Sequence, residues 1–165
     1  MADRESKIRQ LNDALSTHYH KVRSLFGFWR WHGSVVDDLT QEVFVRLWLA
    51  IDEGREIQDV QAFIGGIAFN VSREQMRKRS RNRELESDAS VKLIEGPENR
   101  STELTDQHRL LRKLIAKLDA EDQEIILAVF YWGFNGSELG ELLGIPRQTA
   151  LSRLHRTVDR IRAMP

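Results

Sequence analysis

The stretch GSELGELLGIPRQTALSRLHRTVDRIRAM, residues 136–164, carries the clearest structural reading in the chain. Ser137 is placed to cap a short helix over 137–143, whose apolar positions are Leu139, Leu142 and Leu143. Gly140 is small where a second helix would have to cross closely. Gly144-Ile145-Pro146 reads as a tight turn, because Gly tolerates positive φ and Pro fixes the backbone at the start of the next helix. That helix, over 147–162, presents Leu151, Leu154, Val158 and Ile161 at steps of three and four, a spacing that predicts a buried side. Its other face shows Arg147, Gln148, Thr149, Ser152, Arg153 and Arg156. Two helices, a short Gly turn and a basic second helix describe a helix-turn-helix. Short polar and Arg side chains at such a helix start reach base edges, and later Arg residues meet phosphates. An ordinary αα-hairpin with a solvated face would share the apolar pattern but not the combined turn, small residue and basic face.

Upstream, the apolar spacing again predicts helices, with no useful strand alternation and no repeat. A first helix is expected over about 5–32, with Ile8, Leu11, Leu15, Tyr19, Val22, Leu25, Phe26 and Trp29, broken by Gly33-Ser34. A second is expected from Val36 or Asp37 to about Asp52, ending before Gly54. A third follows Asp59, a reasonable N-cap, and carries Phe63, Ile64, Ile67 and Val71. Residues 84–103 turn acidic and polar around Gly96-Pro97 and read as a linker. Beyond it come Leu111, Leu114, Ile115 and Leu118, then Asp119 as an N-cap, then a helix holding Ile125, Ile126, Val129 and Phe130 and stopped by Gly133. The expected fold class is all-α: two small helical domains, 1–83 and 104–165, joined by a flexible linker over 84–103, with the helix-turn-helix in the C-terminal domain.

The chain's 165 residues suit one or two small domains, and 41% hydrophobic content excludes a fully disordered chain. No apolar run is long enough to span a bilayer, and the N-terminal MADRESKIRQ lacks the apolar core of a secretory signal. With no cysteine there is no disulfide or thiolate metal site, and a cytoplasmic location fits. Net charge is zero, which by itself argues against a nucleic-acid binder. The distribution argues otherwise: residues 70–83 hold six Lys or Arg against one acid, and 147–162 hold five against one. Local fields, not the average, steer a polyanion.

The second helix has an unusual outer side. On a helical wheel Leu39, Val43, Phe44, Leu47, Trp48 and Ile51 share the core arc, while Asp38, Gln41, Glu42, Val45 and Leu49 share the opposite one. Two aliphatics among acids suit a surface for a partner helix or a basic groove, unless the helix is buried on both sides of a bundle. In the third helix Asn70, Arg73, Arg77, Lys78 and Arg79 line the outer face and tail, beside Phe63 and Phe69. Bases beside aromatics are what a single-strand reader needs, although both rings fit a core equally well. Gly65-Gly66 in mid-helix weakens it by about 1 kcal/mol each relative to Ala, which close approach of another helix or of DNA would explain. The five histidines (18, 20, 32, 108 and 155) show no metal spacing, no phosphate loop or catalytic triad is visible, and neither enzyme activity nor a cofactor is expected.

Three stretches resemble one family. Asp37-Asp38-Leu39-Thr40-Gln41-Glu42-Val43-Phe44-Val45-Arg46-Leu47-Trp48 resembles the DLxQExFxRLW signature of bacterial extracytoplasmic-function (ECF) sigma factors. Ala62-Phe63-Ile64, Ile67-Ala68 and Asn70 with the bases after it are similar to the family's next segment. Leu142-Leu143-Gly144-Ile145, Thr149 and Ser152-Arg153-Leu154-His155-Arg156 resemble its C-terminal helix-turn-helix. The resemblance implies a promoter-specificity subunit for core RNA polymerase, with promoter DNA and usually an anti-sigma factor as partners and no membrane insertion. It implies that Asp38, Gln41, Glu42, Val45 and Leu49 dock on the polymerase. Gln61, with the loop at about 57–62, and Asn70, Arg73, Arg77 and Lys78 would open and hold the minus-ten element. Arg147, Gln148, Thr149, Ser152, Arg153 and Arg156 would read the minus-thirty-five element. The linker would lie in the polymerase's RNA exit channel.

The chain departs from the family in three places. Leu118-Asp119-Ala120-Glu121-Asp122 stands where the family has a basic, Leu-Pro-rich start to a helix. Thr149-Ala150-Leu151 lacks a usual basic residue, and Gly65-Gly66 replaces larger ones. Two other readings of the pattern stay open: a stand-alone helix-turn-helix regulator, and a sigma-like module that binds polymerase or an anti-sigma factor without initiating.

Overall fold

The computed structural model describes residues 2–28, 31, 33–85, 110 and 113–165. The chain divides into two compact units, one within residues 1–99 and the other within 100–165. Among the described residues every regular element is helical. The expected linker, from residue 86 onwards, and the expected apolar residues Trp29 and Leu111 lie outside the described residues.

The first unit is a three-helix bundle of α1 (Ala2–Phe28), α2 (Ser34–Asp52) and α3 (Val60–Leu85). Val22, Leu25 and Phe26 of α1, Val43 and Leu47 of α2, and Ile64, Ala68 and Phe69 of α3 are fully buried in its core. Lys7 Nζ near the start of α1 donates to the Asp52 carbonyl at the end of α2, 3.0 Å away, so the two helices run antiparallel. At about 1.5 Å of rise per residue, the 27 residues of α1 outrun the 19 of α2. Ile8, expected in the core, stands exposed.

Local signals set the helix ends. Gly33, at φ 57°, turns the chain so that α2 starts at Ser34, two residues before the expected Val36. Its far end closes with Gly54 at φ 77°, Gly54 N–H on Ile51 O and Arg55 N–H on Ala50 O, both 3.0 Å, a Schellman motif. Asp59 caps α3 as expected, its Oδ1 accepting from Ala62 N–H at 3.0 Å. Buried polar side chains of this unit are paired inside it: Thr40 Oγ1 donates to Val36 O at 2.7 Å, and Trp31 Nε1 donates to Ser72 Oγ at 3.4 Å. Between α2 and α3, Arg46 donates two bonds to Glu74, 3.0 and 2.6 Å, and a third to Glu42 at 2.8 Å. These bonds hold the Glu74 carboxyl below the usual carboxylate range and the Arg46 guanidinium protonated.

The second unit contains a helical turn, α4 (113–116), then α5 (Ala120–Ile126), a π-helical turn (Leu127–Tyr131), α6 (Gly136–Leu143) and α7 (Arg147–Arg162). Asp119 caps α5, accepting from Asp122 N–H at 2.8 Å. The π turn, marked by Trp132 N–H bonded to Leu127 O at 3.0 Å, corrects the expected regular helix. A π turn adds a residue to the repeat, so Leu127 and Ala128 join Ile125 and Ile126 in the core. Phe130, expected inside, is 69% exposed. Among the described residues Ile115, Leu118, Trp132, Phe134, Leu139 and Ala150 complete the buried apolar set of this unit.

Candidate functional site

The two-helix device of α6 and α7 rests on three local choices. The cap of α6 is Asn135 and not the expected Ser137: Asn135 Oδ1 accepts from Glu138 N–H at 2.8 Å. The spacing Asn135-x-x-Glu138 is a capping-box pattern that would have located it. Gly144 adopts φ 66°, with Ile145 N–H on Gly140 O at 3.0 Å, and this closes α6. A Cβ on Gly140 would lie 2.8 Å from the Ile145 carbonyl oxygen and 3.3 Å from Arg147 N, so the turn packs directly on the glycine.

The recognition-like helix α7 buries a different line from the one the spacing suggested. Ala150 and Thr157 are its buried residues, while Leu151, Leu154, Val158 and Ile161 are half-buried. The cause is polar: Asp122 on α5 reaches α7, where Thr157 Oγ1 donates to its Oδ1 at 2.9 Å and Arg160 pairs with Oδ2. That contact turns α7 toward Thr157. Arg147, Gln148, Thr149, Ser152 and Arg156 are exposed together on the other face. Ser152 Oγ donates to Gln148 O at 3.0 Å, so it meets a partner mainly as an acceptor. Arg153 is only half-exposed and forms an ion pair with Glu121 of α5.

On α2, Asp38, Gln41 and Glu42 are exposed, with Val45 51% and Leu49 52% exposed beside them. Burial on both sides of this helix is therefore excluded within the first unit. Next to this stripe an open groove of about 370 Å³ is lined by Leu11, Leu15, Tyr19, Gln41, Phe44, Val45 and Trp48. Tyr19 and Phe44, both in its lining, stack with ring centroids 5.8 Å apart. The sequence pattern did not show this groove, since α1 supplies three of its seven lining residues.

On α3, Asn70, Arg77 and Lys78 are exposed and Arg73 is half-exposed. Asn70, Arg73 and Arg77 share one face at steps of three and four, whereas Gln61, nine residues before Asn70, falls about 180° round the helix. The structure thus groups the first three and leaves Gln61 with the helix start. Phe69 is a core residue, buried to 1%, whereas Phe63 is half-buried with the Arg55 guanidinium 5.2 Å over its ring. Arg79, expected on the outer tail, lies 5.1 Å over the Trp31 ring. A Cβ on Gly66 would meet nothing within 4 Å, so packing inside the unit does not require that glycine.

Comparison with known proteins bears on both units. The Sigma-70 region 2 family model matches residues 15–82, and the Sigma-70, region 4 model matches residues 114–163. The chain belongs to the sigma-70 family. With region 2 and region 4 as its matched parts, it is an ECF-type sigma factor, which binds core RNA polymerase and directs promoter-specific transcription initiation. Among solved structures, this sigma factor is similar to RpoE of Bartonella quintana in its complex with the anti-sigma factor NepR. That likeness has TM-score 0.73 and 20% identity, and covers 93% of this chain and 95% of that one. It is also similar to CnrH in complex with the cytosolic domain of CnrY, at TM-score 0.60 and 19% identity, covering 94% and 86%. No curated protein matches the chain significantly. Among the described residues no helix is long and apolar enough to cross a membrane.

Proposed function

We propose that this sigma factor divides its work among three surfaces. Residues 1–83 form the domain that docks on polymerase and opens the minus-ten element, residues 104–165 form the minus-thirty-five reader, and 84–103 join them. Asp38, Gln41, Glu42, Val45 and Leu49 on α2 meet the polymerase. The observation that carries this is the pair Val45 and Leu49, half-bare among acids, where a solvated face has no use for them. Asn70, Arg73, Arg77 and Lys78 hold the opened strand by charge and hydrogen bonding, and Gln61 acts at the start of α3. Arg147, Gln148, Thr149, Ser152, Arg153 and Arg156 on α7 enter the major groove. Catalysis belongs to the polymerase, so the chain is not itself an enzyme and needs no cofactor or metal. It works in the cytoplasm beside that enzyme. An anti-sigma factor is a further partner, as NepR is of the similar RpoE.

The test mixes the purified chain with bacterial core RNA polymerase and a fragmented-genome template pool, followed by gel filtration and mapping of transcript starts. Co-elution with discrete new starts is the expected result. Failure to co-elute refutes the docking surface. Co-elution without new starts refutes initiation and leaves an interaction module.

A further inference from the structure

Three acids, Asp119, Glu121 and Asp122, open α5, and two of them serve the fold. Asp119 caps the helix, and Asp122, 8% exposed, accepts from Thr157 and pairs with Arg160. Glu121 differs, with a side chain 57% exposed that is paired with Arg153 of α7. The first turn of α5 already has Asp122 to complement the helix dipole. Arg153 lies one turn beyond Thr149 and one turn before Arg156, both exposed, at the edge of the face assigned to the minus-thirty-five element, next to the buried Thr157. A guanidinium recognises guanine or phosphate through a planar fork of N–H donors, and Glu121 occupies part of that fork in the free chain.

We propose that Glu121 is a determinant of promoter strength that works by competition: it holds Arg153 and so lowers the affinity of α7 for the minus-thirty-five element. This rests on the assignment of Arg153 to DNA. The ion pair is exposed enough for a promoter to displace it, so it grades binding and does not block it. A strong minus-thirty-five sequence overcomes the competition, and a weak one does not.

The test measures binding of holoenzyme, reconstituted from core polymerase and the full chain, to a promoter fragment recovered by mapping its own transcript starts. Four proteins are compared: wild type, Glu121→Gln, Arg153→Ala and the double variant, each checked for an unchanged circular-dichroism melt. Glu121→Gln is expected to tighten binding by about two- to five-fold, with no such gain in the Arg153→Ala background, and Glu121→Asp should restore much of the wild-type weakness. If Arg153→Ala weakens binding while Glu121→Gln leaves it unchanged or weaker, the competition is refuted and the DNA assignment of Arg153 stands. A gain that persists without Arg153 means general charge repulsion and also refutes the competition. If Arg153→Ala has no effect, the DNA assignment itself fails, and the inference fails with it.

Discussion

The bare aliphatics on α2 give the sharpest quantitative expectation. Val45 and Leu49 are 51% and 52% exposed, so about half of each side chain remains to be covered by a partner. Full burial of a Val or Leu side chain is worth about 1.5–3 kcal/mol, so covering the bare halves contributes roughly 2 kcal/mol in all. Truncation to Ala keeps the Cβ methyl and forfeits most of that, or about tenfold in Kd for core polymerase. Neither substitution opens a cavity in the bundle, and Ala is the better helix former, so stability should hold or rise slightly. The assay is competition of Val45→Ala/Leu49→Ala against labelled wild-type chain for core polymerase, with thermal unfolding measured alongside. Replacing Glu42 by Gln should instead act mainly on the association rate and its salt dependence, because an exposed charge steers more than it binds. If the double variant melts like wild type and binds core polymerase equally well, this face is not the docking surface.

Three further outcomes follow from particular contacts. Gly140→Ala should destabilise the second unit by about 1–3 kcal/mol in urea unfolding, since a Cβ 2.8 Å from the Ile145 carbonyl forces the turn to shift; unchanged stability would show that the turn is slack. Glu74, its carboxyl held below the ordinary carboxylate value of 4.5 by Arg46, contributes stability that is present above pH 4.5 and lost as pH falls through its lower folded pKa. Glu74→Gln should therefore be less stable near neutral pH and flatten the acid limb of a stability profile, and an unaltered limb would discount the pair. Gly66→Ala meets nothing within 4 Å and should stabilise α3 by up to about 1 kcal/mol in thermal unfolding; a loss of stability would mean that the glycine is needed within the bundle.

Much of the site was legible because helix periodicity and charge are local properties. The outer stripe of α2 follows from residue spacing alone, and the structure leaves it uncovered. The glycine turn between α6 and α7 was equally legible, since positive φ at Gly144 and close approach at Gly140 both follow from lacking a Cβ. Other features depended on a partner far along the chain. Whether Phe69 met bases or the core was decided by α3 packing in the bundle. The burial line of α7 moved toward Thr157 because of Asp122, 35 residues earlier. The π turn escaped detection because its residues also satisfy an ordinary helical repeat.

By itself the sequence determined an all-helical chain, its principal turns, and the charge of each helix face, because those depend on residues a few places apart. Tertiary structure alone decided which of those residues remain available. It tied Arg46 to Glu74 across 28 residues and Arg153 to Glu121 across 32, and it opened a groove between α1 and α2. The physical reason is that ion pairing and burial depend on distance in space, and an exposed-looking arginine in sequence is a free one only if no acid from another helix reaches it.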